Sequence, residues 1–245
     1  MVKKILLFIS AFLLTGYIAF AVIFMNPKAS TDKECTKLYI EVVQSSEVSY
    51  LNEALVESLL QRAKLYPVGK RMSEISMESI EKTLESNKLI KSAEAFKTID
   101  GTVKIKVFQR TPILRIMTGS ESYFIDNEGE KMPIPSDFTA YLPLATGRIT
   151  EGYAKSQLYN FALFLQKDKF WNSQIEQIHI EANLDVELIP RVGNHSIILG
   201  KMEDYKENLD KLKLFYNKGL NKVGWNRYSI INLKYKNQVV CTKQE

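Results

Sequence analysis

IKSAEAFKTIDGTVKIKVFQRTP, residues Ile90 to Pro112, decides the fold of the first half of this chain. Asp100-Gly101 is a strong two-residue turn signal, because the tight turns that suit twisted strands need positive φ at their centre. Before it, Ile90 to Thr98 reads as a strand. After it, Val103-Lys104-Ile105-Lys106-Val107 alternates, which sends the β-branched residues to one face and the lysines to water. Thr111-Pro112 stops the second strand, since proline has no N–H to give a ladder. A hairpin with one apolar face needs a cover, and the chain upstream supplies it.

Ser76 is a helix N-cap, Glu78 suits the positive end of the helix dipole, and Ile75 can staple against Ile80 across the cap. Met77, Ile80 and Leu84 then repeat at i, i+3, i+7 as one core-facing stripe. Tyr66-Pro67-Val68-Gly69 is a loop. Ahead of it, Asn52 to Lys64 carries Leu55, Leu59 and Leu60 at helical spacing. Leu38-Tyr39-Ile40-Glu41-Val42-Val43 reads as a strand. Residues 35–112 therefore order as β-α-α-β-β, two helices laid across one face of a three-stranded sheet.

Further upstream, Ile5 to Met25 is uncharged and mostly apolar, broken only by Ser10, Thr15, Gly16 and Tyr17. As a helix it would span roughly 30 Å, the thickness of a bilayer's hydrocarbon core. A cleaved signal peptide is the rival reading, with Lys3 and Lys4 in front and Ala19-Phe20-Ala21 as a small-x-small site. The run continues through Val22-Ile23-Phe24-Met25 and exceeds the ~7–15 residues of a signal core, which favours an uncleaved membrane helix. Residues 1–4 would then be a cytoplasmic tail and 26–34 a polar linker, with the bulk of the chain exported. Small residues around Gly16 would permit close helix approach.

Downstream, Ile113 to Met117 and Tyr123 to Asp126 form a hairpin around Thr118-Gly119-Ser120, and Asn127-Glu128-Gly129 turns the chain again. Leu142-Pro143-Leu144-Ala145-Thr146-Gly147 is extended. A helix follows with Leu158, Phe161, Ala162 and Leu165 on one side. Ile175 to Glu181 and Leu184 to Leu188 alternate as strands, and Ser196 to Gly200 is another after the Gly193-Asn194 turn. The last helix carries Met202, Tyr205, Leu209, Leu212 and Tyr216 and ends near Gly219. Ile230 to Tyr235 and Val239 to Cys241 close the chain as strands. Residues 113–245 are thus a mostly antiparallel β-domain with two covering helices, and the whole chain is α+β.

The net charge of +5 is spread along the sequence, without the clustered patch that nucleic-acid binding needs. Cys35 and Cys241 read as two separate thiols, although an oxidising compartment would allow them to pair. No Gly-x-Ser-x-Gly elbow, phosphate-binding glycine loop or His-Glu-x-x-His helix is present. His179 and His195 read as surface or edge histidines, and Glu176, Glu181, Asp185 and Glu187 as solvating charges on strands. The expectation is a protein that is not an enzyme, with no cofactor, metal or small-molecule substrate.

Five segments in order resemble the bacterial cell-division family FtsQ, also called DivIB. Val103 to Pro112 (VKIKVFQRTP) resembles its strand ending in an Arg-x-Pro-like step, and Tyr123 to Gly129 (YFIDNEG) its Asp-x-x-Gly turn. Leu142 to Gly147 (LPLATG) resembles its Leu-Pro-x-x-x-Gly segment, and Ser196 to Gly200 (SIILG) the strand before its last helix. Ile231 to Val239 (INLKYKNQV) resembles its closing Asp-Leu-Arg-Tyr-x-Asn, with Asn232 and Lys234 departing from that pattern. The resemblance covers essentially the whole chain and implies that residues 35–112 are a POTRA domain. It implies a scaffold at the septum of the cytoplasmic membrane, with FtsB-like and FtsL-like partners adding to the last strand. On that basis Leu233, Tyr235, Lys236, Asn237 and Val239 are candidate partner contacts, with Tyr235 foremost because tyrosine is enriched at interface hot spots. A strand edge is a ready template for such a partner. Two other readings remain open from the sequence. One is a POTRA-bearing export or assembly module that handles polypeptide strands; the other is an anchored or secreted hydrolase.

Overall fold

In a computed structural model the chain is described at residues 13–18, 20, 32–43, 49–135, 138 and 141–244. The predicted membrane helix Ile5–Met25 lies largely outside these residues; only Leu13 to Ile18 and Phe20 within it are described, as helix. No helix among the described residues is long and apolar enough to cross a membrane.

The first unit is the expected one. Strands β1 (Lys37–Val43), β2 (Ile90–Lys97) and β3 (Thr102–Gln109) form a sheet in the order β1-β3-β2. β3 runs parallel to β1 and antiparallel to β2. Helices α1 (Glu53–Arg62) and α2 (Met77–Glu85) form the crossover that a parallel pair requires. Ser76 caps α2 as predicted, its hydroxyl accepting from the Ser79 N–H at 3.2 Å. Val103, Ile105 and Val107 are buried under Val56, Leu60, Ile80 and Leu84, and Ile75 joins the same core. On the open face the strands align in rows. Lys104 sits between Tyr39 and Phe96, and Lys106 between Glu41 and Glu94, so unlike charges face one another across strands.

The second unit is a nine-stranded sheet built from β4 (Pro112–Met117), β5 (Ser122–Asp126), β6 (Lys131–Met132), β7 (Leu144–Gly147), β8 (Ile175–Ile180), β9 (Val186–Pro190), β10 (Ser196–Gly200), β11 (Tyr228–Asn232) and β12 (Val240–Lys243). Its order is β12-β11-β10-β9-β8-β7-β4-β5-β6. The pairs β10–β11, β4–β7 and β7–β8 are parallel and the others antiparallel. Helical crossovers explain two of these parallel pairs, one between β7 and β8 and one between β10 and β11.

The first crossover comprises α3 (Glu151–Tyr153), a π-helical turn (Ala154–Leu158), α4 (Tyr159–Lys167) and α5 (Lys169–Gln174). The second runs through a 3-10 turn (Met202–Asp204), α6 (Tyr205–Phe215), another π turn (Tyr216–Leu220) and α7 (Asn221–Val223). The cover is thus more broken than two plain helices, with a one-residue widening in each main helix. Leu158, Phe161, Leu165, Trp171, Leu209, Leu212 and Tyr216 fill one core over that sheet face. Gly147 is required where it stands, because at φ +98 a Cβ would lie 2.1 Å from the Ile180 carbonyl oxygen.

The units meet at Arg110. Its Nη1 donates to Asp126 Oδ2 at 2.5 Å, and the carboxylate also accepts from the Glu128 and Glu130 amides at 2.9 and 2.7 Å. Lys91 pairs with Glu128 at 2.7 Å. The Tyr50 hydroxyl donates to the Arg110 carbonyl, and the Tyr50 ring meets Phe138, which in turn meets Phe124.

Candidate partner-binding site

β12 is the outermost strand of the large sheet and pairs with β11 on one side only. Its other edge carries no strand among the described residues, so outward-facing N–H and C=O groups there are available to another chain. The opposite edge is blunted: β6 has two residues and is followed by Pro133 and Pro135.

Between β11 and β12 the chain leaves the ladder earlier than the sequence suggests. The predicted strand Ile230–Tyr235 is Tyr228–Asn232, and the predicted Val239–Cys241 is Val240–Lys243. Residues 233–239 therefore form a loop, and all five candidate contacts fall in it. The Leu233 amide still donates to the Ile198 carbonyl at 2.9 Å, one step beyond the strand. Its side chain is fully buried in the core. Tyr235 is 53% exposed. Lys236 and Asn237 are also exposed, and Val239 is half-buried. Asn237 takes φ 59 to turn the chain, a conformation that asparagine tolerates better than most residues, and the Gln238 amide closes the turn on the Tyr235 carbonyl at 3.3 Å.

Two lysines fix this loop, and neither was legible as a tie in the sequence. Lys211, from α6, donates through Nζ to the carbonyls of Leu233 and Tyr235 at 2.8 and 3.0 Å. Lys234, one of the two departures from the family pattern, pairs with Asp185 at 2.7 Å, beside Lys201 at 3.0 Å. Asp185 is consequently buried rather than a solvating charge. Hydrogen bonds from Lys234 and then Lys201 hold its carboxyl below the usual range. The chain permits this approach because Gly200 has no side chain: a Cβ there would stand 2.9 Å from Lys234 Cγ.

Beside the loop lies a groove of about 740 Å³, lined by Asp210, Lys211, Leu214, Phe215, Asn237 and Val239 among others. Leu214 is 55% exposed on its helix wall. The groove, exposed Tyr235 and the β12 edge are adjacent, giving an apolar slot next to a row of backbone donors and acceptors. That combination suits an extended peptide that adds a strand and seats side chains alongside.

The remaining polar groups lead elsewhere. His195 was read as a surface or edge residue. It is buried, with Nε2 3.0 Å from the Tyr216 hydroxyl and the Trp225 ring nearby. Burial pushes its pKa below the ordinary value, opposed by the Trp225 backbone. His179 lies on the open sheet face, its Nδ1 2.9 Å from Thr146 Oγ1. Cys35 is buried in the first unit and Cys241 half-buried in the second, both as thiols, and burial pushes the Cys241 thiol up. Among the described residues no three His, Cys, Asp or Glu side chains gather as metal ligands do.

A three-stranded sheet under two helices, followed by a nine-stranded sheet with helices over one face, defines a two-module α+β protein. Compared with protein-family models, residues 33–108 match the POTRA-like domain. Residues 111–242, more than half of the chain, match the family described as FtsQ/DivIB, C-terminal related. The chain belongs to the FtsQ/DivIB family of cell-division proteins. No curated protein matches it.

Proposed function

We propose that this protein is a non-enzymatic scaffold of the division machinery. A single membrane helix within residues 5–25 would hold it in the cytoplasmic membrane, with its N-terminus inside and its two folded units outside, at the septum. It would recruit and position FtsB-like and FtsL-like division proteins through β12 and the 233–239 loop. The observation that carries this reading is the adjacency of an open strand edge, exposed Tyr235 and the α6 groove. Family membership supports the division role, and the apolar run Ile5–Met25 supports the anchor. Within the loop, Tyr235, Lys236, Asn237 and Val239 are the contacts, while Leu233 holds the loop from below.

Purification of the solubilised full-length chain from its own cells, beside Tyr235→Glu, tests the proposal. The expected result is recovery of FtsB-like and FtsL-like proteins with the natural chain and their loss with the variant, circular dichroism unchanged. Equal recovery with both would remove the loop as the main contact. Recovery of neither, with an intact fold, would remove the recruiting function.

A further inference from the structure

The end of the first unit where the chain enters is chemically unlike the rest of it. In its described residues, 32–43 and 49–109, four large apolar side chains are exposed: Tyr39, Val68, Phe96 and Ile99. All four sit at this end. Ile99 is 96% exposed at the tip of the β2–β3 hairpin. Tyr39 and Phe96 flank Lys104 one rung inward from that tip, since Lys37 pairs with Thr102 and Tyr39 with Lys104. Val68 belongs to the loop bound to the incoming chain by Gly69 N–H to Cys35 O at 2.9 Å and Cys35 N–H to Lys70 O at 2.8 Å.

Basic groups surround these apolar ones. Lys33 Nζ reaches the Ile99 carbonyl at 3.5 Å, and Lys97 Nζ donates to the Met72 carbonyl. Lys37, Lys70 and Arg71 stand at the same end. Four carboxylates share this end, Asp32 held by Ser73, Asp100 by Thr98 and Thr102, Glu74 beside Arg71, and exposed Glu34 on the strand residue bridged to Arg71, so the five basic groups outnumber them by one. Apolar tips with aromatic and lysine neighbours are the pattern of a surface that rests at a membrane interface.

Chain length puts a membrane within reach. Seven peptide steps separate Met25, the last residue of the apolar run, from Asp32, a span of about 25 Å at most. Lys33 touches the hairpin tip directly, and Asp32 is held by Ser73 in the loop before α2. The far end of the sheet, at Gln109, is a further seven residues or about 23 Å away along β3.

We propose that the first unit docks on the bilayer by this end, with Ile99 entering the interfacial layer and the lysines facing anionic lipid headgroups. The proposal rests on the membrane-anchor reading above. Docking would hold the first unit upright and keep the β12 edge at a set height over the membrane, where a partner anchored in the same membrane would meet it.

The test uses the full chain reconstituted in phosphatidylcholine vesicles with and without phosphatidylglycerol, the lipids carrying brominated acyl chains that quench tryptophan on contact. Both native tryptophans, Trp171 and Trp225, lie in the second unit. Ile99→Trp therefore reports the hairpin tip, and Glu53→Trp, at the start of α1, reports the opposite end. The added emission of Ile99→Trp is expected to be quenched, more strongly with phosphatidylglycerol, while that of Glu53→Trp is not. Arg71→Gln, combined with Ile99→Trp, should lower the docked-to-undocked ratio by about fivefold for the one charge removed. Equal quenching of the two reporters, in chains that resist a carbonate wash, overturns docking and leaves the anchor intact. Chains washed off by carbonate refute the anchor, and the docking proposal falls with it.

Discussion

Lys211 and Tyr235 are joined across the β-domain, the ammonium of the first donating at 3.0 Å to the backbone carbonyl of the second. The same ammonium holds the Leu233 carbonyl at 2.8 Å. Helix α6 and the exposed loop are thereby one piece, and the Tyr235 side chain is presented from a backbone that is already ordered. Pre-ordering matters for binding, because each side chain or loop immobilised on association subtracts from affinity.

Removing that tie should loosen the loop without unfolding the domain. Lys211→Met keeps the aliphatic stem and deletes the donor. Loss of charge-assisted bonds worth about 1.5 kcal/mol predicts roughly tenfold faster amide exchange at Gln238, whose N–H binds the Tyr235 carbonyl. Unchanged exchange, measured by mass spectrometry, would show that the loop is held by something else.

Leu233 and Tyr235 are two positions apart and should behave oppositely. Leu233 is fully buried, so Leu233→Ala should cost about 2–5 kcal/mol in urea unfolding. Tyr235→Ala, at an exposed site, should cost less than about 0.5 kcal/mol yet abolish partner recovery. A Tyr235→Ala chain that is strongly destabilised would place the ring in the fold's own packing.

Arg110→Met should be among the most damaging single changes at the junction of the two units. Asp126 has a side chain only 1% exposed, and the substitution leaves its carboxylate buried without its guanidinium. A loss of about 3 kcal/mol is expected, with the Glu128 and Glu130 amides supplying the remaining partners. Arg110→Met combined with Asp126→Asn should recover part of the loss in the same unfolding assay.

His195 makes the β-domain sensitive to mild acid. Burial holds its folded pKa below the ordinary histidine value of about 6.5, so the unfolded chain binds the proton more readily. Stability from the neutral ring is complete above that value and is lost as pH falls from it through the folded pKa, with a slope of at most about 1.4 kcal/mol per pH unit. His195→Gln should flatten this part of the profile of midpoint against pH, while leaving the carboxylate-dependent loss at lower pH in place.

Local pattern was enough for much of this architecture. The Asp100-Gly101 turn, the Ser76 cap and the alternation through Val103 to Val107 depend on interactions within a few residues, and each stands where the sequence placed it. Ser196 to Gly200 holds its predicted limits for the same reason. The first closing strand stops short of its expected end because Leu233 to Tyr235 carries strand-like residues whose fate depends on distant groups. Lys211, Asp185 and Gly200 draw that segment out of the ladder, and nothing near residue 235 announces them. His195 was misplaced likewise, since its burial comes from Tyr216 and Trp225, far along the chain.

The sequence by itself determined the α+β class and the β-α-α-β-β unit, because periodicity, caps and turns are written in neighbouring residues, while the family came from the likeness of five short segments. Only the tertiary structure decided which edge of the large sheet is displayed and that a groove stands beside it. It also separated the candidate contacts into one that is buried, Leu233, one that is half-buried, Val239, and three that are exposed. Strand order and burial are set by contacts between residues far apart in the chain, and such contacts leave no local pattern to read.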